Sequence, residues 1–460
     1  MLPGNRLQPV TPTDEKGHVM ISRLRILTSL ALLSGTAFVT SCGSGPAQDG
    51  SDLSQIRIGG EGDVPSYIYD PGWPQTLPNN WKMGGATGLA VDSNDDVWVY
   101  NRPNDITAIE LYAETGLADC CTRPPSMIHI DKNGEVIGSF DAPQGHGMDV
   151  DDDGFVYLGQ DTIRKYDPAT GQVVGEIPRT PERENGARVG LPPWPPEREP
   201  GEGGRGPVAG FLPGGRGGGP PDPAAVAAAA ETRAAFRAKY PPDTPMVVGG
   251  LEEIRIDEDA NEIYLADNYL NGRILVFDKN TFEFKRGWGA YGKPLSEIGT
   301  DDTDHDYTPG GPMPPDFAGH LTLNISTDGL VYAADRAANR IHVTDKQGNY
   351  QDKEFVIAPT TNGSTGGVGF SADPEQRYLY ISDLRNNHVW FLERETGEIV
   401  GQLGSMGEAG GQFFGLHMIA VDSKGNIYTG EVFAGERVQR FVPTNSPRGL
   451  LLQQLASLEP

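Results

Sequence analysis

Residues 144–158 read QGHGMDVDDDGFVYL, residues 318–333 read AGHLTLNISTDGLVYA, and residues 415–429 read GLHMIAVDSKGNIYT. Each carries a histidine near its start, His146, His320 or His417, eight or nine residues ahead of a turn glycine (Gly154, Gly329, Gly425). An apolar run follows each turn. Three other stretches share the turn and the run without a histidine: GLAVDSNDDVWVYN from Gly88, LEEIRIDEDANEIYLADN from Leu251 and GVGFSADPEQRYLYISD from Gly367. Period-two alternation of β-branched and aromatic residues is the strand signal, and Gly, Asn and Asp supply the turns. A repeat of about 40 residues built this way predicts propeller blades. The fold expected is all-β, a six-bladed β-propeller, with plain and histidine-bearing blades alternating. Closed in a ring, the three histidines stand a third of a turn apart and face one axis.

Third strands follow in GRILVFD, NRIHVTD and NHVWFLE, and fourth strands end near EFKRGWG and EIVGQLG. The sixth unit, from about Gly415 to Phe441, lacks a fourth strand of its own. Either Ile56-Arg57-Ile58 or Tyr67-Ile68-Tyr69 can supply it and close the ring. The propeller is expected over residues 55–445, with a tail at 446–460. The formal charge of −26 excludes nucleic acid as a partner, because phosphate binding needs a basic footprint and none is present.

The first 42 residues read as a leader and export signal, with Met20 the expected start. Arg23 and Arg25 precede the apolar run Ile26 to Val39, which is too short for a comfortable span and right for a signal peptide. It ends Val39-Thr40-Ser41-Cys42, which resembles the bacterial lipobox, so Cys42 is the expected lipidation site and residues 43–54 a small-residue tether. The location expected is the bacterial cell envelope, exported and lipid-anchored at the periplasmic or outer surface. The two other cysteines, Cys120 and Cys121, are adjacent and read as a local loop feature.

Residues 179–245 break the repeat with a Pro-, Gly- and Arg-dense segment that cannot bury a core. It reads as a mobile insertion with one helix, Ala224 to Lys239, ended by Pro241-Pro242. A second, acidic insertion, Tyr291 to Phe317, holds His305, read as part of a solvated loop.

The repeats resemble NHL-type propeller repeats, and the alternating histidines resemble the peptidyl-α-hydroxyglycine α-amidating lyase family. His146 with Gly147-Met148 is similar to that family's His-Gly-Leu; His320 leads into AADRAANRI, similar to its Ala-Asp-Arg-Glu-Asn-Gly-Arg-Ile; and ADNYLNGRI is similar to its tyrosine-bearing stretch. The resemblance spans roughly residues 80–442 without the insertions. It implies a zinc ion held by His146, His320 and His417, a catalytic tyrosine at Tyr269, and active-site arginines at Arg102 and Arg336. The chain departs from the family at Gly415, where a Met is usual, at Met418, where an Asp linked to a structural calcium is usual, and at Leu270, where a disulfide cysteine is usual. Calcium thus loses its expected ligand, and no monooxygenase domain accompanies the repeats.

The chemistry stands on the residues as well. Three neutral imidazoles with an open fourth position suit a catalytic zinc, which polarises a bound hydroxyl. Tyr269 is the expected proton acceptor, and Arg102 and Arg336 the carboxylate forks. The expected reaction is cleavage of an N-acyl-α-hydroxyglycine-like, peptide-like substrate to an amide and glyoxylate. The rival reading is a non-enzymatic NHL propeller, anchored at the membrane and binding a protein, peptide or glycan at one mouth. A lactonase-like propeller, which holds calcium through carboxylate and Asn ligands, fits three histidines poorly.

Overall fold

A computed structural model describes residues 58–59, 63–180, 200, 223–268, 272–357, 363–433 and 435–458. Among them, six small antiparallel sheets form the six blades. Their innermost strands are Gly85–Val91, Met148–Val150, Leu251–Asp257, Leu321–Ile325, Thr365–Phe370 and Leu416–Val421. Each packs on the next in that order, and the last packs back on the first, which closes a ring.

The sixth blade is completed by the N-terminal strand Ser66–Tyr69, in register Tyr67↔Pro443, Ile68↔Val442 and Tyr69↔Phe441. Ile58–Gly59 adds a fifth strand outside it. Of the two candidate closing segments it is thus Tyr67-Ile68-Tyr69 that pairs with the last strand. Two distant parts of the chain share one sheet, and the ring cannot open without breaking that ladder.

The blade turns follow from their aspartates. Asp422 Oδ1 accepts the amides of Lys424 and Asn426 at 2.9 and 2.8 Å, and Asp92 Oδ1 accepts those of Asn94 and Asp96 at 2.9 and 3.1 Å. An Asp at this place fastens the turn to itself, which is why the polar turn recurs with the repeat.

The core is six wedges, one between each pair of neighbouring blades. Between the first and second blades lie Trp98, Tyr100, Met148 and Leu158; between the fourth and fifth, Tyr332, Ile341, Val368 and Leu379. Each blade contributes one fully buried tyrosine from its second strand: Tyr100, Tyr157, Tyr264, Tyr332, Tyr380 and Tyr428. Burying a large apolar side chain contributes about 1.5–3 kcal/mol, so the wedges hold blade to blade where the sheets' own backbone ladders do not reach.

Two buried arginines pin the long connections. Arg273 is ion-paired to Asp267 at 2.6 Å and donates to the carbonyls of Pro242, Thr244 and Met246. In the fourth blade Arg340 pairs with Asp335 at 3.0 Å and donates to Asp316 O at 2.8 Å. Residues Pro242 to Val248 are therefore fastened to the third blade, and Val247 also exchanges backbone hydrogen bonds with Pro178 and Thr180. The helix α1, Pro223–Lys239, is fastened to the second insertion by Arg233 and Arg237, which hold Asp302 at 2.7 and 2.5 Å. His305 laces that insertion together through the carbonyls of Phe317 and Gly299, at 2.8 and 3.2 Å. Cys120 and Cys121 form a disulfide with each other.

Candidate metal centre

His146 stands two residues before the inner strand of the second blade, His320 directly before that of the fourth, and His417 is the second residue of the sixth blade's inner strand. All three lie at one mouth. Gly147, at φ +79°, permits the approach of His146 to the third blade: a Cβ there would meet Glu252 O at 2.8 Å and Glu253 Cα at 2.9 Å.

The organising residue is Glu252, on the third blade's inner strand and 0% exposed. Its backbone carbonyl lies 2.6 Å from His146 Nδ1, and its Oε1 lies 2.6 Å from His320 Nδ1. Asn268 Nδ2 donates to the other carboxylate oxygen at 3.1 Å. Both histidines therefore carry a proton on Nδ1, and neutral His146 has its lone pair on Nε2. His417 Nε2 lies 3.0 Å from the Arg336 guanidinium, which can only donate, so it too presents a lone pair. His417 Nδ1 is buried without a hydrogen-bond partner.

The Nε2 atoms of His146 and His417 are 3.3 Å apart. Two nitrogens at the zinc–imidazole length, about 2.0–2.1 Å, sit roughly 3.3–3.4 Å apart on a tetrahedron. This pair thus has the spacing of two ligands of one ion. His320 does not. Among the described residues, the one set of three His, Cys, Asp or Glu donors within 4.8 Å of one another is Asp92, Asp96 and His129, far from this mouth along the first blade. There Asp92 is spent on its turn and on Trp98 Nε1, and His129 stacks on the Trp98 ring at 3.7 Å.

The electrostatics favour neutral imidazoles. Burial pushes His146 down to about 3, with the charges of Arg102 and Arg336 adding to it and Glu252 opposing. Burial and then Arg336 hold His417 well below the ordinary histidine value. Burial alone would raise Glu252, but His320 and Arg336 outweigh it and hold the carboxylate at about 2. His146 and His417 are thus unprotonated beside one fixed carboxylate, the state that two ligands of a cation require.

Both candidate arginines lie beside the histidines. Arg102 Nε and Nη2 donate to Gly145 O, at 3.2 and 3.1 Å, beside His146, and Arg336 Nε donates to Thr365 O at 3.2 Å. Tyr269 and Cys42 lie outside the described residues. Sequence reasoning missed Glu252 and Asn268. The doublet Glu252-Glu253 at the start of an inner strand was the available signal, since a carboxylate in an inner strand needs a buried partner.

No protein-family model matches the sequence, and no curated protein sequence does. Among solved structures the chain is similar to virginiamycin B lyase from Staphylococcus aureus, at 11% identity and a TM-score of 0.39, over 80% of this chain and 88% of that one. It is also similar to a protein of unknown function from Bacteroides thetaiotaomicron, at 14% identity and 0.44, over 82% and 75%. Hydrazine synthase from Kuenenia stuttgartiensis matches at 14% and 0.41, over 85% and 84%. At these values the six-blade architecture rests on the sheets themselves.

Proposed function

We propose that this propeller is a zinc-dependent carbon–nitrogen lyase of the peptidyl-hydroxyglycine amidating type, with His146, His417 and His320 as ligands. The observation that carries the reading is the 3.3 Å between the Nε2 atoms of His146 and His417, neither of which carries a proton. Such a contact is repulsive until a cation sits between the two. His320 completes the set by turning its Nε2 inward while Nδ1 stays on Glu252; at 45% side-chain exposure it has room to do so.

Zinc at this position would polarise the substrate hydroxyl. The remaining work falls to the chain. In R-CO-NH-CH(OH)-COO⁻ the hydroxyl proton passes to Tyr269 and the O–H pair forms the aldehyde C=O. The C–N pair goes to the amide nitrogen, which takes up a proton, leaving R-CO-NH2 and glyoxylate. Asn268, directly before Tyr269, is held on Glu252, so the proton acceptor's neighbour is fixed to the ligand network. Arg336 and Arg102 flank the ligands and suit the substrate carboxylate.

The test joins metal content to product. Zinc-loaded protein should bind one ion per chain and release glyoxylate from an N-acyl-α-hydroxyglycine; Tyr269→Phe should slow turnover sharply with zinc unchanged, and Arg102→Ala should impair it through lost positioning. Full zinc with no release from several such substrates would sink the lyase reading. One observation favours the rival binding scaffold: Arg336 already occupies the His417 lone pair, as it would in a metal-free mouth that takes anionic peptides. Absence of stoichiometric zinc would select that reading.

The Val39-Thr40-Ser41-Cys42 stretch supports export and lipid anchoring at Cys42. Metabolic palmitate labelling of the full chain in a bacterial host, lost in Cys42→Ser, tests it.

A further inference from the structure

Arg336 spends its guanidinium on the candidate ligand His417. Its Nη2 lies 3.0 Å from His417 Nε2, its Nε donates to Thr365 O at 3.2 Å, and the residue is 7% exposed. A guanidinium has donors only, so this bond takes up the lone pair that a metal ion would need. Arg336 and an ion on His417 Nε2 exclude each other. The deeply buried Arg273 and Arg340 face carboxylates instead, Asp267 at 2.6 Å and Asp335 at 3.0 Å. The carboxylate that Arg336 helps hold ionised is that of Glu252, and it is already taken by His320 and Asn268.

A second guanidinium stands beside it. Thr365, on which Arg336 rests, pairs in register with Asp383, and Arg385 follows Asp383 by two residues. Asp383 is turned back on its own loop. Its Oδ1 accepts Arg385 N and Asn386 N, both at 2.9 Å, and its Oδ2 accepts Asn386 Nδ2 and Trp390 Nε1 at 2.7 and 2.8 Å. Burial and then the Arg336 charge hold the partly buried Arg385 below the ordinary guanidinium value, with Asp383 opposing. Two like charges thus lie close together beside His417, in a chain whose net charge is −26.

We propose that Arg336 and Arg385 together seat a carboxylate beside His417, and that filling the seat frees the His417 lone pair for zinc. The proposal rests on the zinc reading above; it adds Arg385 to the site and couples the metal to the anion. A carboxylate accepts from guanidinium in charge-assisted hydrogen bonds, roughly twice as strong as neutral ones, whereas His417 offers one neutral nitrogen. The anion also offsets the repulsion among two guanidiniums and an incoming ion. Zinc and carboxylate therefore favour the same state of Arg336, and each raises the affinity for the other by the same factor. The ligand class is a small carboxylate, such as the α-carboxylate of the substrate proposed above.

The test follows zinc affinity by chelator competition in the presence of N-acetylglycine, which has the carboxylate and lacks the hydroxyl at which cleavage starts. Saturating N-acetylglycine should tighten zinc binding about 5–150-fold, the usual range for two coupled ligands, and uncharged N-acetylglycinamide should not. Arg385→Met should lose most of that gain. Arg336→Met, with no guanidinium on His417, should bind zinc about fivefold or more tightly than the parent chain when no carboxylate is present. Zinc affinity that ignores N-acetylglycine would overturn the proposal, as would a gain that Arg385→Met keeps in full because the carboxylate sits on the ion alone. Weaker zinc binding by an Arg336→Met chain that melts as the parent does would overturn it too. Calorimetric titration of the metal-free chain with N-acetylglycine separates the two readings. N-acetylglycine bound with no zinc in any chain sinks the zinc reading and the coupling together; zinc bound with no response to N-acetylglycine sinks the coupling alone.

Discussion

His146 and His320, 174 positions apart in the chain, are held by one residue, Glu252: the first through its backbone carbonyl, the second through its carboxylate, both at 2.6 Å. A single inner strand thereby sets the tautomer of two histidines on two other blades. On the proposed zinc reading, metal affinity depends on a residue that would touch no metal.

Glu252→Gln should therefore weaken zinc binding about 10–100-fold, the usual effect of removing a partner behind a ligating histidine. Competition with a chromophoric chelator measures it. Affinity equal to that of the parent chain would show that the His320–Glu252 contact has no bearing on the ion.

A pH effect should come from His342, away from the candidate site. Burial, and then the Arg340 charge, push it down to about 3, while Tyr291 N donates to its Nε2 at 2.7 Å. The unfolded chain protonates this histidine below about 6.5 and the folded one does not until about 3. Its contribution is complete above pH 6.5 and is lost as pH falls from there toward 3. By pH 5 the loss reaches about 2 kcal/mol. Urea unfolding of the parent and of His342→Gln, which keeps an acceptor without a titration, should show the gap between them narrowing by about that amount from pH 7.5 to 5.

The buried Asp267–Arg273 pair should be costly to break. Arg273→Met leaves Asp267 charged and three carbonyls without their donor, a loss of about 3–5 kcal/mol. Asp267 still accepts Val248 N and Gly249 N at 3.0 and 2.6 Å, so Arg273→Met/Asp267→Asn should lose less than the two single changes added together. Chemical denaturation of the four chains decides it.

Replacing residues 181–239 with a Gly/Ser linker of about eight residues should leave cooperative unfolding intact. Thr180 already meets Val247 through a backbone hydrogen bond, and α1 is held by two ion pairs on the partly exposed Asp302. Extending the cut to 245 removes the Pro242 and Thr244 carbonyls on which Arg273 relies, and should lower the melting transition by several degrees. Calorimetry on both chains is the check.

The six blades were legible because their signals are local. Alternation, turn aspartates such as Asp92 and Asp422, and a tyrosine in every second strand are properties of short windows, and a ring of like units follows from repeating them. The alternate placement of His146, His320 and His417 was legible for the same reason. The ADNYLNGRI and AADRAANRI stretches were read only for Tyr269 and Arg336, while their Arg273 and Arg340 prove to be buried pins for the loops before each blade. Which N-terminal segment closes the ring could not be read, since Tyr67 meets Pro443 across the whole chain. Nor could Glu252, which lies 106 positions from His146 and 68 from His320. Residue type and period set what each blade is; only ring closure, which sets blade against blade, decides which side chains share a proton or a lone pair at its mouth.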